Sequence, residues 1–209
     1  MHRFVIAIAL LIFTSAFSQH GSHGQLDLAR QSEIIRVLKQ KHKRWEETSN
    51  EHIQVSPFWN GIAMVQVQHG LNKDPVPEPY VYYATKDNRI YMDLTGALRS
   101  MKYVPATEDE AVNIAAMLVH SANPRALVIK QKEDIKSMPK KLARAHKVKP
   151  AKVASTDSTY YDVIMYSYHT AQGDSFTRRN QIEQLKRHTI SLHKGQVRFD
   201  SEELHKPEK

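Results

Sequence analysis

The sequence predicts an α+β fold: a curved antiparallel sheet of about five to seven strands, packed by an N-terminal helix and by a second helix near 107–121. Three observations carry this prediction. The run 159–170 is dense in aromatic and β-branched residues, which suit a pleated, half-buried surface. Thr107-Glu108-Asp109-Glu110 is a capping box directly before an apolar stripe. Leu28, Ile35, Leu38, His42 and Trp45 recur at spacings of three and four residues, with Ile34 beside them, as one face of a helix requires.

The segment 1–18 reads as a secretory signal peptide. Arg3 supplies a short positive start, and 4–13 is an apolar core too short to span a bilayer. Ala16-Phe17-Ser18 fits a small-x-small cleavage pattern and places the cut after Ser18; Thr14-Ser15-Ala16 is the second option. No later run approaches transmembrane length. The expected location is the periplasm or the extracellular space. The expected organisation is a mobile, His-containing N-terminus at 19–24, one α+β domain at 25–204 and a disordered tail at 205–209.

The first helix is expected over 25–46, with Lys39, Lys41, Lys43 and Arg44 complementing the negative C-terminal end of its dipole and Trp45 in the core. Ser56-Pro57-Phe58-Trp59-Asn60-Gly61 reads as a turn. The alternation over 62–69 follows as a half-buried strand, with Ala63, Val65 and Val67 on one side. The proline-rich stretch 75–79 is a stiff loop. The runs 80–84 and 90–93 bracket Lys86-Asp87-Asn88 as a hairpin, and a short helix or turn occupies 94–101.

In the second helix Val112, Ala115, Ala116 and Val119 form the stripe, His120 complements the helix end, and Asn123-Pro124 stops it. A short buried strand is expected at 126–130. The segment 132–158 is expected as a basic loop with at most one short helix, near 140–145. In 159–170, Tyr161, Val163 and Met165 share one face; Tyr160, Asp162, Ile164, Tyr166 and Tyr168 share the other. The stretch 178–187 suits either a helix or the solvent face of a long strand, and its extended flanks favour the strand. The runs 189–192 and 196–199 flank Lys194-Gly195 as a hairpin. The segments 88–93 and 195–200 echo each other, each closing a hairpin, which suggests two α-β-β-β halves.

There is no cysteine, so disulfides, thiol catalysis and thiolate metal sites are excluded. A net charge of +8 suits anionic partners. The candidate ligand-binding residues are Lys140, Lys141, Arg144, Lys147, Lys149 and Lys152, which crowd the predicted basic loop. No specific nucleic-acid motif and no common catalytic or nucleotide-binding motif is present. Asp93, Asp162, Asp174 and Glu183 are carboxylates that folding could bring together, and Asp162, Tyr166 and His169 are the polar candidates on the central strand. His188 and His193, an odd number apart, fall on opposite faces and share no metal.

The expected function is that of an exported, non-catalytic binding protein that engages an anionic envelope polymer or a protein partner through its basic surface. Two alternatives stand beside it. One is a small hydrolase-like enzyme with a pocket on the sheet face. The other is copper binding at the mature N-terminus, where a free amine at Gln19 and the imidazoles of His20 and His23 supply nitrogen ligands. No other cofactor is expected.

Overall fold

The computed structural model describes residues 26–69, 79–157, 159–170 and 182–205. The fold is α+β with antiparallel sheets, and the strands divide between a four-stranded and a five-stranded sheet. Two compact units divide the chain, Met1–Ala97 and Leu98–Lys209. The predicted signal peptide and His20 and His23 lie outside the described residues. No described helix is long and apolar enough to cross a membrane.

In the first unit, helix α1 (Leu28–Lys41) starts at Asp27, whose carboxylate accepts the Arg30 N–H at 2.6 Å. The helix stops before the predicted 46 because His42 leaves helical geometry, with φ −123°. A 3₁₀ turn (Lys43–Trp45) then swings Trp45 into the core. Strands β1 (Ile53–Trp59), β2 (Ile62–Val67), β3 (Tyr80–Ala84) and β4 (Ile90–Tyr91) pair in sequence order.

The expected turn at 56–61 is corrected. β1 runs to Trp59, and only Asn60 and Gly61, both at positive φ, make the reversal. Pro57 is tolerated because β1 is an edge strand with a bulge between Pro57 and Trp59. Ile34, Leu38 and Trp45 pack with Val65, Val67, Tyr82, Ala84 and Ile90 as the core of this unit. Arg30 ties the helix to both hairpin turns: its guanidinium donates to the carbonyls of Gly61 (2.8 Å) and Thr85 (3.2 Å). The predicted hairpin around 86–88 forms, with Asn88 at positive φ, and α2 (Leu94–Ser100) follows.

In the second unit, α3 (Glu108–Ala122) begins at Thr107, whose hydroxyl accepts the Glu110 N–H at 3.1 Å. The Glu110 carboxylate reaches back one residue further than in a standard box, to the Ala106 N–H at 2.7 Å, and also takes the Tyr103 hydroxyl. Strands β5 (Leu127–Ile129), β6 (Lys152–Asp157), β7 (Tyr160–Thr170), β8 (Ile182–His193) and β9 (Gln196–His205) form the sheet. β5 and β6 pair with opposite halves of β7, and β8 and β9 extend the sheet beyond it. α3 packs on β5, β6, β7 and β8.

β7 alternates as its sequence predicts: Tyr161, Val163 and Met165 are buried, and Tyr160, Asp162, Ile164 and Tyr166 are half-buried. From Ile182 onward the ambiguous 178–187 stretch is strand, and β9 reaches His205, past the expected fraying point. The β8–β9 turn uses Lys194 and Gly195, both at positive φ. A Cβ at Gly195 would stand 2.5 Å from the Lys102 Cα. The echo between 88–93 and 195–200 is therefore one of turn geometry, since Asn88 and Gly195 hold the same left-handed backbone.

The expected basic loop at 132–158 is corrected as well. The short helix expected near 140–145 is α5 (Lys140–Ala145), but α4 (Lys132–Lys136) and β6 also occupy the segment. Met138 and Val148 are buried, and with Ile135, Leu142 and Ala143 they pack against Tyr168 and Leu185 of the sheet. Apolar residues spaced through a lysine-rich stretch anchor it.

Candidate functional site

The candidate site is the basic surface carried by α4, α5 and the start of β6. Pro139 precedes α5, where its missing N–H costs nothing. At the other end Lys147 adopts φ 49°, its N–H reaches the Arg144 carbonyl (3.1 Å), and the Val148 N–H reaches the Ala143 carbonyl (2.9 Å). This is a Schellman closure with lysine in the position that usually holds glycine. Val148 is buried in the apolar cluster against which Leu142 and Ala143 also pack.

With those residues turned inward, Lys140, Lys141, Arg144, Lys147, Lys149 and Lys152 are all exposed. None of the six has an ion-pair or side-chain hydrogen-bond partner among the described residues. The stretch 130–152 holds nine Lys/Arg and two acids, a net of +7 against +8 for the whole chain. Neither acid pairs with any of the six. Asp134 accepts the backbone N–H groups of Lys130 (2.8 Å) and Gln131 (2.9 Å). Glu133 lies 3.9 Å from Lys136.

The central-strand candidates do not converge. Asp162 and Tyr166 share a face but stand roughly 13 Å apart along β7, and His169 sits roughly 23 Å from Asp162 on the opposite face. Asp162 accepts the Ser191 hydroxyl at 2.6 Å and the Tyr160 hydroxyl at 2.8 Å, so both its oxygens are engaged within the sheet. That bond to Asp162 raises the Tyr160 pKa. Tyr166 packs in the apolar cluster beneath α5. Asp93 caps α2, accepting the Gly96 N–H at 2.6 Å. Asp174 and the side chain of Glu183 lie outside the described residues. No group of three or more His, Asp or Glu side chains able to hold a metal occurs among the described residues.

His120 lies in the last turn of α3, but burial and nearby Lys130 push its pKa down. It is therefore neutral there at pH 7 and supplies no charge to the helix dipole.

One polar cluster has no counterpart in the sequence motifs. His188 is 3% exposed at the centre of the sheet. Its Nε2 lies 2.7 Å from Ser167 Oγ on β7, and its Nδ1 lies 2.7 Å from Ser201 Oγ on β9. Phe199 stacks on the ring at 5.5 Å. Burial, with a contribution from Lys186, lowers its pKa to about 4. The ring is thus neutral at pH 7, and one serine donates to it while the other accepts. A general base needs stabilisation of the imidazolium it becomes. Among the described residues no carboxylate is hydrogen-bonded to this ring, and its surroundings disfavour the charge, so the cluster reads as a satisfied polar bridge within the sheet.

Comparison with protein-family models, with characterised proteins and with solved structures gives no match.

Proposed function

We propose that the chain is an exported, non-catalytic binding protein that holds an anionic polymer or an acidic protein partner on the surface formed by α4, α5 and the start of β6. The observation that carries this reading is the set of six exposed, unpartnered basic side chains on a segment pinned to the sheet by Met138 and Val148. Fixing the backbone beforehand lowers the ordering cost of binding, so more of the electrostatic attraction becomes affinity. Five of the six are lysines, which act as hydrated point charges without the bidentate geometry of arginine. Such a set suits a repeating anionic chain better than a single shaped anion. Export rests on the signal-peptide character of 1–18.

Retention on immobilised dextran sulfate tests the proposal. Changing Lys140, Lys141, Lys147 and Lys149 to Gln should lower the eluting salt concentration well below that of a control with Lys43, Lys86, Lys102 and Lys194 changed to Gln. Equal elution of the two variants would remove the basic segment as the site.

A further inference from the structure

A second cation is built into the first unit in a different manner. Arg44, in the 3₁₀ turn after α1, is exposed at its edge while its guanidinium lies 4.6 Å from the centroids of both the Trp45 and Tyr80 rings. Its Nη2 donates to the Tyr82 hydroxyl, which also accepts the Trp45 indole N–H at 2.8 Å. Tyr82 is 1% exposed, so this anchor is fixed by the core. A guanidinium has five N–H donors in a planar fork. Here one is used on Tyr82, and Arg44 has no carboxylate partner among the described residues.

Two further polar atoms belong to the same cluster. His42 packs on Tyr82 at 4.8 Å, and His69 packs on Tyr80 at 4.9 Å and on Trp45 at 6.0 Å. His42 Nε2 and His69 Nδ1 are buried without a hydrogen-bond partner. Buried polar atoms of this kind are rare in folded proteins and call for an explanation. Burial, with Lys41 and Arg44 nearby, holds the His42 pKa down, so at neutral pH it keeps one N–H to donate.

We propose that Arg44, clamped by Trp45 and Tyr80, is a receptor for an oxyanion: the carboxylate or phosphate group of a ligand, taken by the free edge of the guanidinium. The rings limit motion of the fork, and fork geometry matches two oxygens of one anionic group. The clamp leaves the outer edge of the fork, with its remaining donors, open to solvent and to an anion. This site is independent of the basic segment at 130–152 and stands or falls separately.

The test uses the full chain carrying Lys140, Lys141, Lys147 and Lys149→Gln, to silence the other basic surface, and Trp59→Phe, which leaves Trp45 as the single indole. Inorganic phosphate and, separately, acetate are titrated against chloride at constant ionic strength, reading Trp45 emission and the unfolding midpoint. The expected result is a saturable emission change and a raised midpoint with at least one of the two anions, with Arg44→Lys weakening the binding at least tenfold. Response to phosphate alone assigns a phosphate ligand, and response to acetate a carboxylate. No saturable emission change and no midpoint shift with either anion would overturn the proposal, and so would an unchanged affinity in Arg44→Lys. If Arg44→Lys fails to fold, saturation of the Trp45 emission change at low anion concentration decides the matter, since the general stabilising effect of phosphate does not saturate.

Discussion

Replacing His188 by Phe should make the second unit less stable at neutral pH and nearly equal to the parent in acid. His188 makes two hydrogen bonds at 2.7 Å, one of them to Ser167, which is 4% exposed. Phe keeps the stack on Phe199 but leaves the Ser167 hydroxyl buried without a partner. Two lost bonds at about 1 kcal/mol each, plus the desolvated hydroxyl and less the gain from a more apolar ring, give a loss of about 2–3 kcal/mol.

The pH dependence is set by the pKa of about 4 in the folded state against 6.5 as the ordinary value. Between those values the unfolded chain binds more protons than the folded one, so stability falls as pH drops. The contribution is fully present above pH 6.5 and is lost as pH falls towards 4. From pH 7.5 to pH 4.5 the gap between parent and variant should close by about 2–3 kcal/mol. Urea unfolding followed by far-UV circular dichroism at the two pH values measures this. Other titrating groups, His42 and His120 among them, cancel in the difference. A gap that stays constant with pH would show that His188 is not held neutral by its surroundings.

Three smaller perturbations follow from local geometry. Thr107→Ala removes the N-cap hydroxyl of α3 and should cost about 1 kcal/mol in chemical denaturation. Gly195→Ala places a Cβ at φ +76° and 2.5 Å from the Lys102 Cα, and should cost more than about 2 kcal/mol. Lys147→Gly relieves left-handed strain at φ 49° and should raise the unfolding free energy by about 0.5–1 kcal/mol, the opposite sign to the other two.

Features encoded within a few consecutive residues were legible in the sequence. The N-cap at Thr107, the two faces of β7 and the hairpin at Lys194-Gly195 all appear where their residues predict them. Features that break a local rule were not. Pro57 masks β1 because only an edge position excuses a proline in a strand. The helix near 140–145 appears as α5, but the left-handed closure at Lys147 that ends it carries no glycine to mark it. The charged Lys186 and Arg187 leave 178–187 open to a helix by propensity alone, and its extended flanks favour the strand that forms from Ile182 and pairs with β7 and β9.

The candidate site divides in the same way. The cluster of basic residues was readable as composition, whereas its attachment through Met138 and Val148 depends on contacts with Tyr168 and Leu185. The His188 bridge joins residues 21 and 13 positions away in sequence, and only the strand register brings them together.

The salt dependence of polyanion binding tests the functional reading most directly. Affinity of the full chain for dextran sulfate should fall linearly on logarithmic axes as salt rises, because bound cations displace counterions. Changing Lys140, Lys141, Lys147 and Lys149 to Gln should make that slope shallower by about 3–4. An unaltered slope and affinity in that variant would contradict the assignment of the anion-binding surface to α4, α5 and β6.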